Sequence, residues 1–245
     1  MPETIMKIWA IRTARFREGG DLLRFLRRHI GKIPERSILV VTSKIVALAE
    51  GRVSDAADEK TRTRLIRAES QLAMKTKYTW LTIKDGTVMA AAGIDQSNAD
   101  GKLILLPRDS FHTAAALRRK LKKMYRLRTL GILITDSRVM PLRAGSVGIA
   151  LGYAGFKGIR DYRGTPDLFG RKLKVSRTDV ADSLASAAVL MMGEGKEQRP
   201  LAIIQNAPVT FTERVFRREL HIDIRDDMYR PLFEKLGRIR LKNWK

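Results

Sequence analysis

Apolar positions along the 245-residue chain follow two rhythms. Short continuous or alternating runs predict strands at Lys7 to Ile11, Ser37 to Thr42, Leu130 to Ser137, Val147 to Ala154 and Leu201 to Asn206. The second run, S-I-L-V-V-T, has the density of a strand covered on both faces. Wider, helical spacing predicts helices over Leu22 to His29, Ser43 to Arg52, Asp58 to Ala73, Thr113 to Tyr125 and Thr178 to Met192. Two further helices are expected at Glu213 to Leu220 and Met228 to Leu236. Asp21 is placed to cap the first helix and Gly51 to end the second. Asp85-Gly86 between the apolar runs Tyr78 to Ile83 and Thr87 to Ala92 predicts a hairpin. Its second arm runs into Val88 to Asn98, V-M-A-A-A-G-I-D-Q-S-N, expected to be a buried strand that delivers Asp95 to a sheet end. Ala99 to Asp109 and Gly155 to Arg171 are expected to be loops, with Leu103 to Pro107 extended.

Composition narrows the chemistry. At 44% apolar residues the chain can bury a substantial core, as one large domain or two small lobes. No run approaches the ~20 apolar residues that span a bilayer, and the opening M-P-E-T-I-M-K lacks a secretory segment, so a cytoplasmic protein with no membrane partner is expected. With no cysteine, disulfides and thiolate chemistry are excluded. The three histidines, His29, His112 and His221, form no i,i+4 zinc pair. A bound metal must therefore be held by oxygen, which points to Mg²⁺, Mn²⁺ or Ca²⁺.

Against that background Asp95 gains weight, because a second apolar run, L-G-I-L-I-T-D-S, also closes on an acid, Asp136, with Ser137 beside it. Either acid alone suits a turn or a cap; the pair points to a cation. Ser43 and Lys44 follow the strand Ser37 to Thr42 at a helix start, a junction that suits an anion or serves as an ordinary strand-to-helix turn. Gly193-Glu194-Gly195-Lys196 has the makings of a phosphate nest, with Glu194 out of place there unless a cation accompanies it. In the loop Gly155 to Arg171, the arginines Arg160, Arg163 and Arg171 and the acids Asp161 and Asp167 read equally as a structural network or as substrate contacts. Neither a G-x-x-x-x-G-K-[ST] loop nor a G-x-G-x-x-G helix start is present.

Forty-eight Lys and Arg against 26 Asp and Glu give a net charge of +22. That field attracts polyanions, nucleic acid among them, although the basic residues are dispersed, with denser runs at Arg118 to Arg128 and Arg238 to Lys245. A solvated basic surface is the favoured reading over a dedicated nucleic-acid face.

An ordered set of motifs then carries a resemblance: Val40-Val41-Thr42-Ser43-Lys44 with Ala49-Glu50-Gly51-Arg52, Ala92-Gly93-Ile94-Asp95-Gln96-Ser97-Asn98, Leu105-Leu106-Pro107, and Ile134-Thr135-Asp136-Ser137. Gly148 to Gly152, Asp161-Tyr162-Arg163-Gly164, Asp167 to Arg171, Ala181-Asp182 and Met192-Gly193-Glu194 complete it. Together they resemble the coenzyme F420-0:L-glutamate ligase family, from about the first strand to Ile204. The resemblance implies an α+β fold of mixed, largely antiparallel sheets with flanking helices, in an intertwined homodimer. Residues 1–208 would form the ligase-like domain and 209–245 a basic helical extension.

It further implies a GTP-dependent amide ligase that joins L-glutamate to a phosphorylated acceptor such as F420-0, using two Mn²⁺ or Mg²⁺ ions, with a monovalent cation as a further candidate. By matching motif, Asp95 and Asp136 would hold one metal, and Ser137 with Glu194 the second. Ser43, Lys44, Asn98, Gly193, Gly195 and Lys196 would meet the nucleotide, and Arg143, Arg163 and Arg171 are substrate candidates. No protein nucleophile is required. The chain departs from the family at three places. Leu48 stands where family members carry a lysine, with Lys44 one turn earlier as the candidate replacement. Arg138 to Arg143 replaces Phe-Gly-Arg-Pro-Trp-Arg, and Thr13 to Phe16 replaces an apolar Leu-Pro segment. A family member with an altered acceptor, or a non-catalytic binder of nucleic acid or another phosphorylated anion, is the alternative reading.

Overall fold

A computed structural model describes residues 5–55 and 58–235. In chain order the first half comprises β1 (Lys7–Ile11), α1 (Leu22–His29), β2 (Ser37–Thr42), α2 (Ser43–Ala49), β3 (Val53–Ser54), α3 (Glu59–Ala68), β4 (Leu72–Lys75), β5 (Trp80–Lys84), β6 (Thr87–Ala90) and β7 (Leu103–Ile104). There follow α4 (Ser110–Met124), β8 (Leu130–Val139), β9 (Ser146–Ala154), β10 (Ile159–Asp161), β11 (Arg177–Asp179), α5 (Val180–Met192), β12 (Leu201–Gln205) and α6 (Arg230–Lys235).

The centre is a five-stranded sheet in the order β1-β12-β2-β8-β9. All its pairings are antiparallel except β2 with β8, which run parallel from Ser37 opposite Leu130 to Thr42 opposite Thr135. Side chains alternate between two faces as the pleat requires. Leu39, Val41, Ile132 and Ile134 pack with Leu26 of α1 and Leu117 and Leu121 of α4. Ile38, Val40 and Leu133 face the other way, onto Ala181, Leu184, Ala185 and Ala188 of α5. This double coverage explains the unbroken apolar character of β2, and each such buried side chain contributes roughly 1.5–3 kcal/mol. The arrangement is the expected mixed, largely antiparallel α+β architecture with helices on both faces.

Between β2 and β8 the chain builds a smaller unit. The antiparallel meander β4-β5-β6 packs with α3 around Ile66, Trp80, Ile94 and Leu103. Arg52 and Lys84 both reach the Glu69 carboxylate at 2.8 Å, and Arg52 also donates to Leu106 O, which fastens this unit to the segment after α2.

Four expectations need correction. The strand expected through Val88 to Asn98 stops at Ala90, because Ala91, Ala92 and Gly93 all take left-handed φ values of 48°, 55° and 71°. The buried Thr82 hydroxyl holds that turn, donating to Met89 O and accepting from Ala92 N. Helix α3 ends at Ala68 rather than Ala73, since Gln71 N turns to Ile83 O and Leu72 onward joins the meander. The loop Gly155 to Arg171 contains β10, which pairs with β11 to form an arm closed by tight turns at Thr165 and Gly170. Glu213 to Leu220 is not helical; its side chains are drawn outward to Arg118, Asp109, Tyr153 and the Gly158 N–H instead. Leu236 and the basic run Arg238 to Lys245 lie outside the described residues.

Candidate functional site

The site forms where β2 gives way to α2, beside the far half of β8. Antiparallel β8 and β9 shift register between Ile134 and Thr135, with Leu151 as the extra residue on β9. A bulge of this kind twists its strands and re-aims the following side chains. The Ala150 N–H is satisfied by Asp182 of α5 at 2.8 Å, so α5 fixes the bulge, and Arg138 lies 3.6 Å from the same carboxylate. Asp136 follows immediately on β8. It does not end the strand, as the sequence led us to expect; the strand runs on to Val139.

The Asp136 carboxylate accepts a 3.2 Å hydrogen bond from Ser43 Oγ, the first residue of α2. Loss of hydration pushes its pKa up to about 6, against the pull of the Ser137 N–H and the Ser43 hydroxyl, and the nearby charge of Asp95 adds to the rise. Asp95 arrives from the smaller unit. The left-handed turn at Ala91 to Gly93 precedes it, and paired backbone bonds with Ile104 hold it in place. Its side chain receives Lys44 Nζ at 2.7 Å, the Ser97 N–H at 2.7 Å and Ser97 Oγ at 2.9 Å. Burial opposes its ionisation, but Lys44 and Ser97 hold its pKa below the usual aspartate value.

A third segment closes the group. α5 ends at Gly193, whose φ of 82° releases the chain from the helix. Ser137 Oγ then lies 3.2 Å from Glu194 Oε2, and Asn98 Nδ2 donates to Gly195 O at 3.2 Å. Ser43, Lys44, Asp95, Asn98, Asp136, Ser137, Glu194, Gly193 and Gly195, spread over 150 residues of sequence, therefore meet through a chain of direct contacts. Lys196 is exposed next to them.

Two participants escaped the sequence reading. Ser97 ties Asp95 to Lys44, accepting from Lys44 Nζ through its carbonyl at 2.8 Å, and the Asp-x-Ser spacing of an Asx turn was its signal. Glu197 places its carboxylate on the Gly195 N–H at 2.8 Å, so the expected phosphate nest already holds an anion of the chain's own. Arg143, Arg163 and Arg171 stand apart. Arg163 forks onto Asp161 within the arm, the Arg171 N–H donates to Asp167, and Arg143 lies in the exposed β8–β9 turn. No hydrogen bond or ion pair among the described residues joins these three to the cluster.

The donors fit a hard cation. They are carboxylates and hydroxyls, and Asp136 has a hydroxyl, a peptide N–H and the more distant charge of Lys44 to balance it while facing a second carboxylate. At Asp95 an ammonium already occupies the place of a cation. Among the described residues no three carboxylate or imidazole side chains converge in one group, so hydroxyl and ligand oxygens would complete any coordination shell. No helix among the described residues is long and apolar enough to cross a membrane.

The chain is similar to the coenzyme F420:L-glutamate ligase of Methanopyrus kandleri, 33% identical over 205 residues that cover 76% of this chain and 81% of that protein. The ligase of the same name from Archaeoglobus fulgidus is 30% identical over 224 residues, covering 83% of this chain and 89% of the relative. A Methanococcus maripaludis ligase is 42% identical over 129 residues, a match that spans only about half of either protein, 53% of this chain and 52% of the relative. The model of the family described as F420-0:Gamma-glutamyl ligase matches residues 10–206, from β1 through β12 and every residue of the cluster, and the chain belongs to that family.

Proposed function

We propose that this protein is a metal- and GTP-dependent amide ligase that joins the amine of L-glutamate to the carboxylate of a phosphorylated acceptor such as F420-0. The observation that carries the reading is the convergence of Ser43, Asp95, Asp136 and Glu194 from four separate segments, inside the stretch, residues 10–206, that matches a ligase family. A carboxylate does not condense with an amine in water, so an oxygen of the acceptor carboxylate first attacks the γ-phosphorus and releases GDP. The amine then attacks the acyl carbon, phosphate leaves with both electrons of the C–O bond, and the nitrogen loses a proton.

Asp95 with Asp136, and Ser137 with Glu194, are the residues that would hold two Mn²⁺ or Mg²⁺ ions. When bound, such ions neutralise the phosphate charge that would otherwise repel the attacking carboxylate. The chain's own groups set the stage. Ser43 fixes one Asp136 oxygen, Lys44 keeps Asp95 ionised, and Asn98 locks the Asp95 loop against the turn after α5. A phosphate seated on that turn replaces the Glu197 carboxylate at the Gly195 N–H. Release of phosphate from GTP that requires both L-glutamate and F420-0 is the expected result; GTP turnover indifferent to either substrate would sink the reading.

The same reading includes a second copy of the chain. The arm from β10 to β11 leaves Leu168, Phe169 and Val175 at 97%, 94% and 83% exposure, a surface suited to burial against a like protomer. Sedimentation at the mass of a dimer is expected, reverting to monomer on Phe169→Glu; a wild-type monomer at all concentrations would exclude the pairing.

A further inference from the structure

A concentration of positive charge lies at the end of the sheet opposite the candidate site. β2 and β8 run parallel, so both begin at one end, with Ser43 and Asp136 lying at the other. Six residues of strand separate the two ends, roughly 20 Å. The segments that lead into these strands, Leu22 to Arg36 and Leu117 to Leu130, contain a single carboxylate, Glu35. That carboxylate is already engaged, accepting from the Arg128 and Thr129 N–H groups. Glu213 reaches in from the extension but neutralises only Arg118 and Lys122.

Arg27, Arg28 and Lys32 from the first segment and Lys123, Arg126 and Arg128 from the second are all exposed. None of the six side chains has a hydrogen bond or ion pair among the described residues. They stand on one surface, because Tyr125 Oη donates to Ile30 O, Glu35 bridges the two segments, and the Arg36 N–H bonds to Thr129 O. The charge of Arg27 is felt at the Tyr125 hydroxyl, which places the two helix ends side by side. Favourable contact with helix C-termini accounts for basic residues in a last turn. It does not account for Lys32, Arg126 and Arg128, which lie beyond α1 and α4. Nor is the enrichment general, since α5 on the other face of the sheet contains no Lys or Arg.

We infer that this surface docks a nucleic-acid phosphodiester backbone, without reading sequence. Six unneutralised cations held on a rigid platform match the charge of such a backbone, and four of them are arginines, whose planar fork engages phosphate oxygens in pairs. An anionic membrane is the poorer match. Stable seating on lipid draws on apolar side chains that enter the acyl region, and Met124, 37% exposed, is the one exposed large apolar side chain in these two segments. The surface is independent of the ligase reading and stands or falls separately from it.

Fluorescence anisotropy with labelled oligo(U) RNA and a mixed-sequence DNA duplex tests the inference. Both probes are expected to bind at low salt, with affinity falling steeply between about 50 and 200 mM salt. A triple variant, Arg28→Ala, Arg126→Ala and Arg128→Ala, should bind at least about tenfold more weakly and lose about two to three units of the log–log salt slope. A control triple with the same net charge, Lys60→Ala, Arg64→Ala and Lys77→Ala, should keep the wild-type slope, as should Asp136→Asn. Binding that is absent or indifferent to salt overturns the inference. Equal losses in both triples would mean diffuse charge rather than a surface, and loss on Asp136→Asn would put the polyanion in the candidate site. Capture by phosphatidylserine vesicles without oligonucleotide binding would assign the surface to membrane and overturn the inference as well.

Discussion

Asp136→Asn is expected to abolish the rise in melting temperature that GTP with Mn²⁺ or Mg²⁺ gives the wild type. A ligand at about 100 times its Kd stabilises a folded protein by about 2.7 kcal/mol, which for a chain of this size is roughly 5–10 °C. Asparagine keeps the shape of the side chain and its bond to Ser43 but removes the charge that a divalent cation needs. The ligand-free variant should be as stable as the wild type or more so, because a carboxylate with too few donors has been replaced by a neutral group. Gain without ligand and loss with it is a combination that general damage to the fold does not produce. Asp223→Asn, which disturbs only a surface pair with Arg225, should keep the full shift. An undiminished shift in Asp136→Asn would remove this residue from the metal site.

The second large effect lies far from the chemistry. Glu213→Gln is expected to cost about 1–3 kcal/mol, measured by urea unfolding, because it removes the counter-charge of a buried cation whose carboxylate partner is itself largely exposed. Arg118 is 7% exposed and donates through Nε to Leu130 O and through both terminal nitrogens to the Glu213 carboxylate. Removing the acid leaves the guanidinium buried without its counter-charge. The reverse change, Arg118→Leu, removes the charge together with its need for a partner and should cost less. The pair also predicts an acid limit. Arg118 is foremost in holding the Glu213 carboxyl down at about 2, from an ordinary 4.5. Its contribution is therefore complete above about pH 4.5 and disappears as pH falls toward 2. A wild type and a Glu213→Gln variant that differ as much at pH 3 as at pH 7 would contradict the assignment.

What the sequence made legible was what neighbouring residues decide. β2 was readable from its own six side chains, and the Asp21 cap from one carboxylate before an apolar period. The acids Asp95 and Asp136 stood out because their strands are otherwise apolar. The route to Asp95 was not readable. Alanine gives no local signal for a positive φ, and Ala91 and Ala92 adopt one because a threonine ten residues upstream of Ala92 supplies the hydrogen bonds that offset its cost. Glu213 to Leu220 failed for a related reason. Its pattern permits a helix, but Glu213, Arg217 and Glu219 each find a better-placed partner across the fold than helix formation would leave them. Arg163 and Arg171 belong to an arm whose pairing depends on Ser176 to Asp179, where the helix expected from Thr178 is preceded by a short strand that no local pattern marks.

The strand order β1-β12-β2 sets a timetable for synthesis. The first two strands made are joined only through β12, Leu201–Gln205, so until that strand has left the ribosome β1 has no partner and β2 is paired on one side alone, by β8. At about 5–20 residues per second, the nascent chain carries β1 and one edge of β2 unpaired for ten seconds or more, and those open backbone edges are what chaperones shield and what aggregates recruit. Moving β12 ahead of β1 by circular permutation would let that trio assemble early, which makes the connectivity of this sheet a determinant of yield in the cell as well as of form.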